Sequence, residues 1–283
     1  GRPIPYAIYL PQGHREAGRR DNTVRRLSRF RSNAEAPRVL YLLHGHGDNE
    51  SAWIQLGRIK GTLDRLISRG RIAPMVVVMP AAGNSWYVND ARGGRGFGPV
   101  ATALTTDFVE GVEARHLPGA SVCREQRAIA GLSMGGFGAV LYAFERPDTF
   151  SAAISLSGSL FLQNLAEDRG RRRRLAQLFG GVYGVPFSMS RFNAWTVFAR
   201  LDKVAALPRP PAVWLSAGDD DFPAIVDGTV RLHLALRRRG VVTQLRIDDA
   251  GHTWAYWRKA IVPALEWLSP RLEGRCDVVA GDR

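Results

Sequence analysis

Gly131-Leu132-Ser133-Met134-Gly135 sets a serine between two glycines, each two residues away. A serine hydroxyl attacks a carbonyl carbon only when a base takes its proton, and an imidazole base needs a carboxylate to hold its tautomer. The G-x-S-x-G spacing is that of a nucleophile elbow, a sharp strand-to-helix turn that lifts the serine above a sheet. Glycines are needed because neighbouring side chains would collide in so tight a turn. In a chain with 30 glycines the pattern alone is weak, and its setting discriminates. Residues 127–130 read as a strand and 136–145 as a helix that stops before Pro147, which is the context such an elbow requires.

The partners of that serine should follow in the order acid, then histidine, each just past a later strand. After the strand-like run 212–216 come Asp219, Asp220 and Asp221, and after the run 241–247 comes Gly251-His252-Thr253-Trp254. Of the other histidines, His14, His44, His46 and His116 precede the acid segment, and His233 falls inside a helical pattern, so His252 is the base. Spacing does not choose among the three aspartates. Asp219 and Asp220 read more readily as turn formers or solvated charges, and Asp248 and Asp249 stand too near His252 in sequence to be preferred.

An oxyanion that develops at the carbonyl needs two backbone donors. The amide of Met134, next to the serine, is one candidate. The other is the amide of His46, in the turn Leu42-Leu43-His44-Gly45-His46-Gly47 that follows an early strand. The imidazole of His46 either lines the site or, with that of His44, simply packs or hydrogen-bonds within the loop.

These groups must be held by a sheet. Strand-like runs occur at 5–10, 38–43, 75–79, 127–130, 152–156, 212–216 and 241–247, and several are apolar throughout, as strands buried on both faces are. Helical patterns at 58–68, 101–115, 135–145, 224–239 and 253–268 alternate with them. This alternation predicts an α/β fold with a mostly parallel sheet covered on both faces. Residues 157–207 carry no strand pattern and read as a helical, cap-like excursion within a single domain over 1–272. Residues 13–36 read as an exposed connection, and 273–283 as a loose tail.

Composition bounds the rest. The chain has 283 residues, 45% of them hydrophobic and 23% charged, which is ordinary for a globular domain. Its formal charge is +13, and of 39 basic residues only Lys60, Lys203 and Lys259 are lysines. Such an excess raises an anionic substrate or surface as partner, although no nucleic-acid motif accompanies it and none is expected. Cys123 and Cys276 match no metal or redox spacing and are expected as two free thiols, with a bridge between them the alternative. No metal or cofactor is expected. No apolar run reaches the 18 or so residues of a membrane span. The chain begins at Gly1, which leaves room for a removed leader, and a secreted or periplasmic location is slightly favoured over a cytoplasmic one.

The sequence resembles the putative-esterase family of α/β-hydrolases, which includes esterase D, feruloyl and acetylxylan esterases, and mycolyltransferases. The matching pieces are Tyr9-Leu10-Pro11, Leu42 to Gly47 with Trp53 after it, Gly131 to Gly136, Gly218 to Phe222, and Gly251 to Trp254 with Trp257. They run in the family's order over nearly the whole chain. The resemblance implies that Asp221 is the acid, because the family places the carboxylate three residues after the glycine, and that the amides of His46 and Met134 form the oxyanion hole. It implies substrate contacts at Trp254, with Trp86 and Tyr87 placed to contribute. The expected activity is hydrolysis of a small-molecule or carbohydrate-linked carboxylic ester through an acyl-enzyme. The alternatives are transfer of the acyl group to a sugar or other alcohol, and a noncatalytic anion-binding protein on the same fold. The arginines of 13–36 and the run Arg171 to Arg174 depart from the family and fall where substrate choice is set.

Overall fold

The computed structural model describes residues 3–12, 37–91, 96–161 and 169–272. Seven strands form one sheet: β1 (Tyr6–Tyr9), β2 (Arg38–Leu43), β3 (Met75–Pro80), β4 (Arg127–Leu132), β5 (Ala152–Leu156), β6 (Ala212–Gly218) and β7 (Thr243–Asp248), in spatial order β1-β3-β2-β4-β5-β6-β7. Only β1 pairs antiparallel, against β3, and every other pairing is parallel. The runs Arg38–Leu43 and Met75–Pro80 are buried at every position, which explains their lack of polar alternation.

Helices cover both faces. In chain order they are α1 (Ala52–Gln55), α2 (Ile59–Ser68), α3 (Val100–Thr105), α4 (Asp107–His116), α5 (Met134–Glu145), α6 (Arg169–Phe179), α7 (Met189–Trp195), α8 (Leu201–Ala205), α9 (Pro223–Arg238) and α10 (Trp254–Leu268). Successive side chains of a strand point to opposite faces. Leu40 and Leu42 accordingly join the core beneath α2 and α10, whereas Val39, Tyr41 and Leu43 join the core shared by α4, α5, α9 and the segment from α6 to α8.

The single helix expected over 101–115 is two. The break falls at Thr106, with φ −123° and ψ −96°. Thr105 and Thr106 turn their hydroxyls back to the carbonyls of Ala101 and Thr102, at 2.8 and 2.7 Å, which competes with continuation of the helix. Among the described residues no strand lies between β5 and β6, so the excursion is helical. The expectations for 13–36 and for the tail lie outside the described residues.

Two free thiols were expected, and Cys123 is instead disulfide-bonded. Cys276, the chain's other cysteine, lies outside the described residues. The short 3-10 turn Arg124–Gln126 packs against the turn Ser269–Leu272, so the last described residues end beside Cys123. Sequence distance concealed that neighbourhood.

The strand order creates a crevice. From β2 the chain passes to β3 on one side, and from β4 it passes to β5 on the other, so the loops leaving β2 and β4 diverge above the sheet. Such a switch point at the carboxyl ends of parallel strands is where open α/β sheets bind ligands. The loop after β2 carries His44 to Gly47, and Ser133 follows β4.

Candidate active site

Ser133 stands at the top of β4 with φ +52° and ψ −118°, a left-handed conformation rarely tolerated by a residue with a side chain. Two glycines make the turn possible. A Cβ on Gly131 would sit 2.3 Å from the Gly135 carbonyl oxygen, and one on Gly135 would sit 2.5 Å from that of His44. The Ser133 N–H donates to the Leu156 carbonyl at 2.9 Å, which ties the elbow to β5. The helix α5 begins at the next residue, so the Met134 N–H, in the first turn, has no intrahelical acceptor.

Asp221 and His252 arrive from neighbouring strands. Gly218 ends β6, and a Cβ there would lie 1.8 Å from the Ala250 carbonyl oxygen, so only glycine lets the loops after β6 and β7 close on each other. They are stitched by hydrogen bonds from the Asp219 N–H to the Asp248 carbonyl (2.9 Å) and from the Asp220 N–H to the Ala250 carbonyl (3.1 Å). The Asp219 carboxylate accepts the N–H groups of Asp220 and Ala250, which is the turn-forming role expected of it. Asp219, Asp220 and Asp249 bring carboxylate oxygens within 4.8 Å of one another, but all three are exposed.

Of the three adjacent aspartates Asp221 alone faces inward, with a side chain 0% exposed. Its Oδ1 lies 2.8 Å from His252 Nδ1 and accepts the Phe222 N–H at 2.7 Å. A carboxylate can only accept, so Nδ1 carries the proton and the Nε2 lone pair faces Ser133 Oγ at 3.0 Å. Where spacing left three aspartates open, the structure turns Asp221 to the imidazole and its two neighbours, Asp219 and Asp220, to solvent.

The imidazole is flanked on both sides. Trp257 meets it edge to face, with ring centroids 4.9 Å apart, and its indole N–H donates to the buried Ser157 hydroxyl at 3.0 Å. Phe222, 62% exposed, lies 5.1 Å away on the solvent side.

Next to the elbow the excursion and the loop after β3 enclose a small cleft, joined to Ser133 through Ser159, whose N–H donates to the Ser133 carbonyl at 3.1 Å. Its lining includes Trp86, Phe137, Ser159, Phe161, Phe179 and Phe192. Trp86 and Tyr87 both have positive φ, +54° and +55°. Consecutive left-handed residues turn their side chains apart. Trp86 packs against His46 and meets Phe179 edge to face at the cleft, and Tyr87 is buried in the core with its hydroxyl donating to the His44 carbonyl at 3.0 Å. Of the three aromatic contacts implied by the resemblance, then, only Trp86 lines the cleft. Trp254 packs on Trp53 and Trp257, away from it.

Sequence reading missed Phe137, Phe161, Phe179, Phe192 and Phe222. For Phe161, Phe179 and Phe192 the available signal was the aromatic density of 157–207, which has no period by which to assign a face.

The loop after β2 lies directly over the elbow. A Cβ on Gly45 would be 3.8 Å from that of Ser133. His44 is 1% exposed, and burial holds its pKa below the ordinary histidine value, whereas the neighbouring Asp48 carboxyl is pushed up by its own desolvation. His46 is exposed, and among the described residues no acceptor engages its N–H.

A hydroxyl, an imidazole and a carboxylate joined in one hydrogen-bonded line, with unengaged amides beside the hydroxyl, can carry out acyl transfer from a carbonyl. Known proteins agree with this chemistry. The family model described as "Putative esterase" matches residues 1–268. An acetyl esterase of Caldicellulosiruptor saccharolyticus is 29% identical over 244 residues, covering 84% of this chain and 85% of its own length. A solved ferulic acid esterase superposes with TM-score 0.62 at 28% identity, over 87% of this chain and 89% of its own. FphF, a fluorophosphonate-binding serine hydrolase of Staphylococcus aureus, shares the fold at TM-score 0.67 and 22% identity, over 95% and 91% of the two chains. The chain belongs to the putative-esterase family and is a carboxylic ester hydrolase on the α/β-hydrolase fold.

Proposed function

We propose that Ser133 is the nucleophile, His252 the general base and acid, Asp221 the group that orients His252, and the amides of His46 and Met134 the oxyanion donors. The observation that carries this reading is the unbroken line Ser133 Oγ, His252, Asp221, at 3.0 and 2.8 Å. Oγ attacks the ester carbonyl as its proton passes to Nε2, and the carbonyl oxygen takes the negative charge. Collapse breaks the bond to the alcohol oxygen, which leaves with the proton from Nε2. Water, activated by the same nitrogen, then releases the acid and restores Ser133.

The leaving oxygen must meet His252, so the alcohol lies on the side of exposed Phe222. The acyl group then points away from the histidine, into the cleft at Trp86 and Phe137. Aromatic walls favour a flat aryl acyl group by about 0.5–1.5 kcal/mol beyond area burial, or roughly 2- to 10-fold in kcat/KM. The test is hydrolysis of p-nitrophenyl acetate, butyrate and cinnamate by wild type and Ser133→Ala. The variant should lose at least about 10³-fold with its melting temperature unchanged, and wild type should prefer cinnamate to butyrate. Retained activity in the variant overturns the nucleophile, and a preference for butyrate overturns the aryl pocket.

We also infer that the basic surface beside the cleft attracts an anionic substrate or an anionic matrix bearing it. Helix α6 buries Leu175 and Phe179 and exposes Arg173 and Arg174, so the element that lines the cleft also presents the charge. Arg173→Glu with Arg174→Glu should raise KM on esters of an acidic polysaccharide and flatten its salt dependence. Unchanged kinetics and salt slope would leave the arginines as a solvated surface. The disulfide at Cys123 supports a secreted or periplasmic location, because such bonds persist in oxidising compartments. Recovery of the protein from its native compartment with Cys123 reduced would overturn that placement.

A further inference from the structure

The peptide linking Gly45 to His46 is trans and carries the Gly45 carbonyl and the His46 N–H in one plane, pointing in opposite directions. Whatever fixes the carbonyl therefore aims the N–H. Two donors fix it: His44 Nδ1 at 2.8 Å and the Asp48 N–H at 3.3 Å. The other ring nitrogen of His44 accepts the Ala82 N–H at 3.0 Å, just past β3. Only a neutral ring with the proton on Nδ1 can make both bonds. The ring is buried, and the same burial disfavours its charged form. The imidazole thus clamps the loop after β2 to the loop after β3 with a single possible tautomer.

We propose that His44 is a positioning residue for the oxyanion hole: through the Gly45 carbonyl it turns the His46 N–H toward the oxygen of the tetrahedral intermediate. The proposal rests on the reading of His46 as an oxyanion donor. The carbonyl is drawn toward a buried ring, so the N–H on the other edge of the peptide faces the open side, above Ser133. Trp53 and Tyr87 brace the same loop. The Trp53 indole N–H donates to the Leu43 carbonyl at 2.9 Å and the Tyr87 hydroxyl to the His44 carbonyl at 3.0 Å, so the peptide before the clamp is held as well. Preorganisation of this kind spares the peptide from reorienting as charge develops.

Two substitutions separate the halves of the clamp. His44→Asn places an amide N–H near the position of Nδ1 and lacks the acceptor for Ala82. His44→Gln places an acceptor near Nε2 and lacks the donor to Gly45. In His44→Gln, kcat should fall by about 10²-fold, the cost of one oxyanion donor, with KM within about twofold of wild type. Affinity for an aryl trifluoromethyl ketone, which forms a tetrahedral oxyanion adduct on Ser133, should fall by the same factor. His44→Asn should recover most of both. Equal impairment of the two variants, a loss confined to KM or to thermal stability, or a kcat loss without the matching loss of inhibitor affinity would overturn the proposal. The Ser133→Ala control separates the two levels. If that variant is inactive while His44→Gln turns over and binds the ketone like wild type, the positioning role fails and the nucleophile stands.

Discussion

At the scale of single residues, the site depends on backbone approaches that only glycine allows. Gly218 is the sharpest case, because it lets the loops bearing Asp221 and His252 share hydrogen bonds rather than merely adjoin. Gly218→Ala should cost about 1–3 kcal/mol in thermal unfolding, the usual range for overpacking, and should also slow labelling of Ser133 by a fluorophosphonate, since Asp221 and His252 move with their loops. A destabilised variant with wild-type labelling would show that the loop contact serves stability alone. The residues that the structure joins in one hydrogen-bonded line were legible from type and order: a serine between glycines, then aspartates, then a histidine before an aromatic. Which aspartate was not. Three adjacent carboxylates differ only in where the chain turns, and of them Asp221 is the one whose buried side chain meets His252.

At the scale of elements, strands were easier to read than helices. Runs such as Met75–Pro80 are buried on both faces and carry the signal in bare hydrophobicity. β7 is the exception: it starts two residues later than expected, and its outer half is exposed, so its pattern is diluted. The segment expected as one helix before β4 breaks at Thr106 because two threonine hydroxyls compete for backbone acceptors, a choice that periodicity does not register. The excursion was correctly read as helical. Its contribution to the site was not, because the aromatics of α6 and α7 acquire meaning only when they meet Trp86 from a different element.

At the scale of the whole molecule, the strand order brings the loop after β2 against the elbow after β4, and a covalent bond constrains the chain at Cys123. Reduction of that disulfide should lower stability by about 2–4 kcal/mol, read as a fall in melting temperature under dithiothreitol that Cys123→Ser reproduces without reductant. An unchanged melting temperature in both would show that the bond adds nothing to the stability of the fold. A mixed set of arginine-rich segments gives the net charge of +13, and only Arg173 and Arg174 of the long basic run have a described position beside the cleft.

Order along the chain determined the fold class and singled out Ser133 and His252 as candidates, because each depends on local rules: apolar runs for buried strands, glycines for a tight turn, a histidine past the last strand. Tertiary structure decided which aspartate faces His252, which aromatics wall the cleft, and that the buried His44 ring takes the Ala82 N–H. Each of these is a relation between residues far apart in sequence, set by which loops the sheet brings together and by the direction in which a buried side chain or peptide plane is made to point.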